Sequence, residues 1–184
     1  VGKGTLIKRL TEAHPDKFTT IISHTTRPKR PNEKDDVHYS FRSKGQFESL
    51  LHFEEFIEHT IYNGHYYGTC WRTVKHQMSQ GLTPLLDINI EGVRNLQGSQ
   101  TLNPRCVFIK PPSLDVLRAR LQARGTEDEE SIKERLAQAK VELEYAETAG
   151  AFDVIIVNDD IEEAYKQLEA FVRGVIETKY VMVE

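Results

Sequence analysis

The sequence predicts an α/β fold, a parallel β-sheet flanked by helices, and three observations point to it. Short apolar runs alternate along the chain with amphipathic helical patterns, which is how strand–helix–strand units read. The runs are almost continuously apolar, so they suit strands covered on both faces rather than strands with one wet side. The chain also opens on "VGKGTLIKRL", a glycine-rich turn leading into a helix. Such a turn offers backbone N–H groups and the positive end of a helix dipole to an anion.

The elements follow in order. The first helix runs from Gly4 to Ala13, with His14 at its end, and is followed by a strand at 19–23, "TTIIS". Residues 27–82 then depart from the alternation and read as a small inserted lobe. The lobe holds a strand "VHYSF", a helix "KGQFESLL", a strand "EFIEHT", an Asn63-Gly64 hairpin turn, a strand "HYYGT" and a helix ending at Gly81. The alternation resumes with a strand at 83–88 ("TPLLDI"), a helix from Ile90 to Gln97 and a strand at 105–109 ("RCVFI"). Pro111, Pro112 and Ser113 start a helix from Leu114 to Arg124, which Gly125 can close in the left-handed conformation. Residues 126–148 form one charged helix, opened by a capping box of Thr126 with Glu129, with too little apolar surface for core and therefore a mobile cover. A strand at 153–157 ("DVIIV") and a helix from Ile161 to about Thr178 complete the pattern. The 184 residues thus make one domain, with a core of 1–26, 83–125 and 149–184, a lobe of 27–82 and a lid of 126–148.

Charge and composition narrow the function. A net charge of -4 lacks the basic surplus of a nucleic-acid binder. No apolar run approaches the roughly 20 residues that span a bilayer. Cys70 and Cys106 fit no metal or redox spacing, which suits a reducing, cytoplasmic compartment. The expectation is a monomer, with a homodimer as the alternative, that binds neither nucleic acid nor membrane.

The opening turn, Gly2-Lys3-Gly4-Thr5, resembles the back half of a phosphate-binding loop, with Lys3 placed to reach outer phosphates. Asp87, at the carboxyl end of "PLLD", stands where a parallel sheet presents ligands and where a Mg²⁺-organising carboxylate belongs. Gly4 takes the place where such loops usually carry the metal-ligating hydroxyl, so Thr5 is expected to supply it, one residue on. A complete loop also needs a strand and a further glycine upstream, and both are expected to precede Val1.

Five stretches, "SHTTRPKR", "EFIEHTIYNGHYYGT", "LLDINIEGV", "RGTEDEESIKERL" and "IIVNDD", resemble guanylate kinases in content and order over essentially the whole chain. The resemblance implies a P-loop NTPase-type sheet with a monophosphate-binding lobe and a helical lid. It implies transfer of the γ-phosphoryl group of ATP to GMP, and to dGMP, with Mg²⁺ as cofactor, in purine nucleotide metabolism. By the same resemblance Tyr39 and Tyr67 bond the GMP phosphate, and Thr69 and Ser23 serve the base side. Arg120 and Arg135 reach the transferring phosphates, Arg124 and Asn158 border the adenine, and Gly2, Lys3, Gly4 and Thr5 hold ATP phosphates. Two alternatives remain open: a kinase-like module that binds phosphopeptides, and a kinase for another nucleoside monophosphate.

The residue chemistry agrees. Arg27 and Arg30 lie three apart on a loop stiffened by Pro28 and Pro31 and can converge on one phosphate. Glu58 in "FIEHT" can accept guanine N1–H and N2–H₂ as a pair, whereas adenine would set a lone pair against the carboxylate. Lys3, Arg30, Arg120 and Arg135 are the expected catalytic cations, since phosphoryl transfer asks chiefly for positioning and positive charge. Asn89 stands where the family usually has an acid and Glu91 where glutamine is common, so Asn89 can hydrogen-bond near the base but brings no charge. His24 is assigned no chemistry.

Overall fold

The structure, a computed structural model, describes residues 1–98, 104–125, 128–174 and 181–183. Its elements are α1 (Lys3–Ala13), β1 (Phe18–Thr20), β2 (His24–Thr25), β3 (Ser40–Phe41), α2 (Lys44–His52), β4 (Phe56–Tyr62), β5 (His65–Cys70) and α3 (Trp71–Ser79). The chain continues through β6 (Thr83–Asp87), α4 (Ile90–Gln97), β7 (Arg105–Lys110), α5 (Leu114–Arg124), α6 (Glu129–Ala146), β8 (Val154–Val157), α7 (Ile161–Arg173) and β9 (Val181–Val183).

The main sheet is parallel throughout, in the order β1-β6-β9-β7-β8. Both faces are covered at β6 and β7, which explains why these strands carry buried apolar residues in sequence rather than in alternation, whereas Ile155 and Val157 of the edge strand β8 stay exposed. Leu85, Val107, Ile109 and Ile156 pack with Leu6, Ile7 and Leu10 of α1 and Leu168 and Val172 of α7. Leu86 and Cys106, one step out of phase, pack on the other side with Val74 of α3 and Val93 and Leu96 of α4. The sheet's central position belongs to β9, a strand that the apolar pattern leaves unassigned.

A second sheet, in the order β3-β2-β5-β4, forms the lobe. Its β4–β5 hairpin turns at Asn63 and Gly64, both with positive φ (47° and 74°), as a two-residue turn requires. Phe47 of α2, fully buried, stacks on Phe56 and Tyr66 with ring centroids 4.5 and 5.2 Å apart. Gly68 lies beneath those rings, and a Cβ there would sit 2.9 Å from Phe56 and 3.0 Å from Phe47.

Four expectations shift. The run "TTIIS" is divided between sheets: the ladder of β1 with β6 ends at Thr20, with one more bond from Ile21 N–H to Leu85. The chain then crosses so that His24 and Thr25 pair with Gly68 and Tyr67 of the lobe. The strand expected at 37–41 is reduced to Ser40–Phe41. The lid helix starts later than its apparent capping box, because Asp128 is the N-cap and accepts from Ser131 N–H at 2.8 Å; Thr126 lies outside the described residues. The expected last turn of the final helix, beyond Gly174, lies outside them too. The lid is also less polar in packing than its composition suggests, since Ile132 and Ala139 are buried against Leu117 and Leu121 of α5.

Candidate active site

A cleft of about 420 Å³ opens between the main sheet, the lobe and α6. One wall is the start of α1, with Gly2, Lys3, Gly4 and Thr5 lining it. Gly2 is the N-cap, held in the left-handed region at φ 102° and ψ 9°, and a Cβ there would come within 2.3 Å of Asn158 Nδ2. Both the backbone and the available space therefore demand glycine. The buried Asn158 carboxamide donates to the Val1 carbonyl at 2.7 Å. Arg120 donates in turn to the Asn158 backbone carbonyl at 2.8 Å and to that of Asp159 at 3.3 Å. The turn ahead of α1 is thereby tied to the segment ahead of α7. Lys3 Nζ lies 3.3 Å from Asp87 Oδ1, at the carboxyl end of β6.

The lobe supplies the opposite wall through Arg27, Arg30, Tyr39, Glu58 and Tyr67, with Ser23 at its base. Glu58 is only 4% exposed. It lies opposite Thr69 in the hairpin register, and burial pushes its carboxyl up to about 7 despite hydrogen bonds from the Thr69 hydroxyl and amide. Thr69 itself is fully buried, set behind the wall within 3.1 Å of the Ser23 hydroxyl. Arg27 is fixed from several sides: it donates to Glu33 Oε1 at 2.8 Å and to the Pro28 carbonyl at 2.7 Å, and it lies over the Tyr39 ring at 5.4 Å. Burial works against the Arg27 charge, yet the Glu33 carboxylate outweighs it and raises the guanidinium further. Burial likewise raises the Tyr39 hydroxyl, so it remains a phenol that can donate.

From α6, Arg135, Gln138, Ala139 and Glu142 face the cleft, as residues three and four apart on one helix must. Asp87 and Asn89 lie on its floor. Arg120 and Asn158 instead line a neighbouring cleft that shares Val1, Gly2, Leu117 and Leu121 with the first. Arg124 lies in the last turn of α5, and its side chain is outside the described set. His24 has its Nδ1 3.6 Å from Cys70 Sγ. Burial lowers the imidazole and raises the thiol to about 11, so neither is charged at neutral pH and the pair is no nucleophile.

The profile of the guanylate kinase family matches residues 1–175. The chain belongs to the guanylate kinase family. It is 44% identical to the guanylate kinase of Schizosaccharomyces pombe over 92% of this chain and 84% of that protein. Against the human guanylate kinase it is 39% identical over 91% of this chain and 85% of the other. The crystal structure of guanylate kinase from Anaplasma phagocytophilum superposes with a TM-score of 0.73 at 26% identity, covering 92% of this chain and 80% of that one. Guanylate kinase function follows from membership, and the chain is an ATP-using kinase. The expected P-loop-type α/β fold is borne out by the same structural match.

Several residues of this cleft and its surroundings are not marked by the sequence patterns. Glu33 clasps both arginine positions, since its Oε2 accepts from the Arg30 backbone N–H at 2.9 Å while Oε1 holds Arg27. Burial would raise its carboxyl, but the bonds from Arg27 and Arg30 hold it below the usual carboxylate range. Thr60 and Tyr62 share the strand face of Glu58 and line the cleft with it; that period of two is the signal that finds them. Among the described residues no three acidic, histidine or cysteine side chains gather as a metal cluster. Mg²⁺ needs no such cluster: it takes hard oxygen ligands, commonly one or two carboxylates with phosphate oxygens and water. Asp87 and Thr5, both at the mouth of the phosphate turn, fit that role.

Proposed function

We propose that this cleft transfers the γ-phosphoryl group of ATP to GMP, giving ADP and GDP, with GMP in the lobe and ATP phosphates on the turn before α1. A single observation carries the assignment of sides. The buried Glu58 carboxylate opens onto the same cleft as Lys3, Arg27, Arg30 and Arg135, which suits a base with adjacent N–H donors at one end and phosphates at the other.

In this reading Glu58 accepts guanine N1–H and one N2–H, and the hydroxyls of Ser23 and Thr69 serve the same side. Arg27 and Arg30, with the Tyr39 and Tyr67 hydroxyls, hold the GMP phosphate in line with the γ-phosphorus. A GMP phosphate oxygen forms the new bond while the bond to the β–γ bridging oxygen breaks, and that oxygen leaves with ADP. No general base is needed, because the attacking phosphate is already ionised. Lys3 and Arg135 stabilise charge on the migrating group from two different elements, so α6 must lie against the cleft for both to act. Arg120 holds the Asn158–Asp159 backbone, and with Arg124 and Asn158 borders the adenine end. Asp87 and Thr5 would hold Mg²⁺ through water, and the ion, when bound, neutralises charge on the ATP phosphates. The protein works in the cytoplasm, and dGMP serves as a second acceptor because Glu58 and the arginines engage the base and the phosphate, which GMP and dGMP share.

ADP formation coupled to an optical readout tests the assignment with GMP, dGMP, AMP and UMP as acceptors. GMP and dGMP are expected to turn over and AMP and UMP to fail. Arg135→Ala should lower kcat by about a hundredfold or more while the protein stays folded. AMP turnover matching that of GMP would overturn the base assignment, and an undiminished kcat in Arg135→Ala would overturn the role of α6.

A further inference from the structure

We propose that Thr60, held by Glu91, is a second specificity element for guanine that reads the half of the 2-amino group Glu58 leaves unpaired. The proposal rests on Glu58 being the base-binding carboxylate.

Thr60 follows Glu58 by two residues on β4, so both side chains point to the same face. Both line the cleft, and Thr60 is only 8% exposed. A threonine hydroxyl has one proton and two lone pairs. Here the proton is committed, because Thr60 Oγ1 donates to Glu91 Oε2 at 2.5 Å. One lone pair is approached by Asn89 Nδ2 at 3.4 Å, near the limit of a hydrogen bond. Toward a ligand in the cleft, Thr60 can then act only as an acceptor.

Asn89 is oriented away from that role. Its Oδ1 accepts from Gly92 N–H at 3.0 Å and caps α4, which fixes the carboxamide and turns its NH₂ toward Thr60. Glu91 is exposed and does not line the cleft. It acts through Thr60 and is a positioning residue: its carboxylate orients the hydroxyl proton away from the ligand and strengthens the oxygen as an acceptor.

Guanine presents three donor hydrogens on one edge, one on N1 and two on N2. A carboxylate takes N1–H and the nearer N2–H as a pair, so the second N2–H needs another acceptor. Thr60, beside Glu58 on the same strand face, supplies it. Hypoxanthine keeps N1–H and lacks the 2-amino group, so the Thr60 contact separates GMP from IMP.

The experiment measures kcat/KM for GMP and for IMP in the wild type, Thr60→Val, Thr60→Ser, Glu91→Ala and Glu58→Gln. The ratio of GMP to IMP is expected to fall roughly five-fold in Thr60→Val and by a smaller factor in Glu91→Ala, the loss of one hydrogen bond. Thr60→Ser keeps the hydroxyl and is expected to keep the ratio. An unchanged ratio in both Thr60→Val and Glu91→Ala, whether or not the two rates fall together, overturns the proposal. Glu91 is on the surface, so its variant reports even if Thr60→Val fails to fold. Glu58→Gln separates the two layers: intact GMP turnover there means that the base lies elsewhere, whereas lost turnover with unaltered ratios in the other variants refutes Thr60 alone.

Discussion

Replacing Glu58 with glutamine should make the protein more stable and useless for GMP, and the two effects have one cause. Burial raises the carboxyl from its usual 4.5 to about 7. The folded protein therefore holds the proton more tightly than the unfolded chain does, and stability is greatest when the group is protonated in both states. That contribution is full below about 4.5 and is lost as the pH rises through about 7. At about 1.4 kcal/mol for each tenfold change in proton affinity, the cost of carrying the buried charge at pH 8 is a little over 3 kcal/mol, on the order of the full shift. Glutamine keeps the shape and an acceptor for Thr69 but never ionises. Urea unfolding of both proteins at pH 5 and pH 8 isolates the effect: the stability of Glu58→Gln relative to wild type should rise by about 2 to 3 kcal/mol between the two pH values. GMP should no longer stabilise the variant, because the amide NH₂ would face guanine N–H groups. A stability difference that is the same at both pH values would refute the reasoning.

Two other substitutions probe how the cleft is held. Gly2→Ala forces a side chain into a left-handed backbone and against Asn158 Nδ2; a loss of roughly 1–2 kcal/mol in stability with a higher KM for ATP is expected, and an unaltered thermal midpoint and KM would show that the tie to Asn158 does not matter. Glu33→Ala frees the Arg27 guanidinium and the Arg30 amide, so KM for GMP should rise roughly tenfold with kcat within about threefold; steady-state kinetics at saturating ATP that show an unchanged KM would assign Glu33 to loop folding alone.

What could be read from the sequence depended on the range of the interaction. The runs of β6 and β7 were legible because burial on both faces writes itself into consecutive residues. The hairpin was legible because two positive-φ positions call for Asn63-Gly64. The end of β1 was not, since the apolar Ile21 and Ile22 continue the run past Thr20 and only the crossing to β5 decides where the ladder stops. The helix start at Asp128 was hidden by a better-looking pattern at Thr126. At the site, Glu58 and the arginines were legible from chemistry and resemblance. Glu33, the Asn158 tie to Val1 and the Glu91–Thr60 bond were not, because each joins groups that only the folded backbone brings to hydrogen-bonding distance. For Asn158 the sequence shows nothing of the bond from its side chain to the Val1 carbonyl in the turn before α1.

The gathering of Lys3, Arg27, Arg30 and Arg135 around one cleft matters more because the chain as a whole carries a charge of -4. Against that negative background the clustered cations draw a polyanion toward the mouth of the cleft, where low-dielectric walls sharpen the field. In the proposed reading, capture of both nucleotides is guided before any contact forms, and it should slow as added salt shortens the reach of that field.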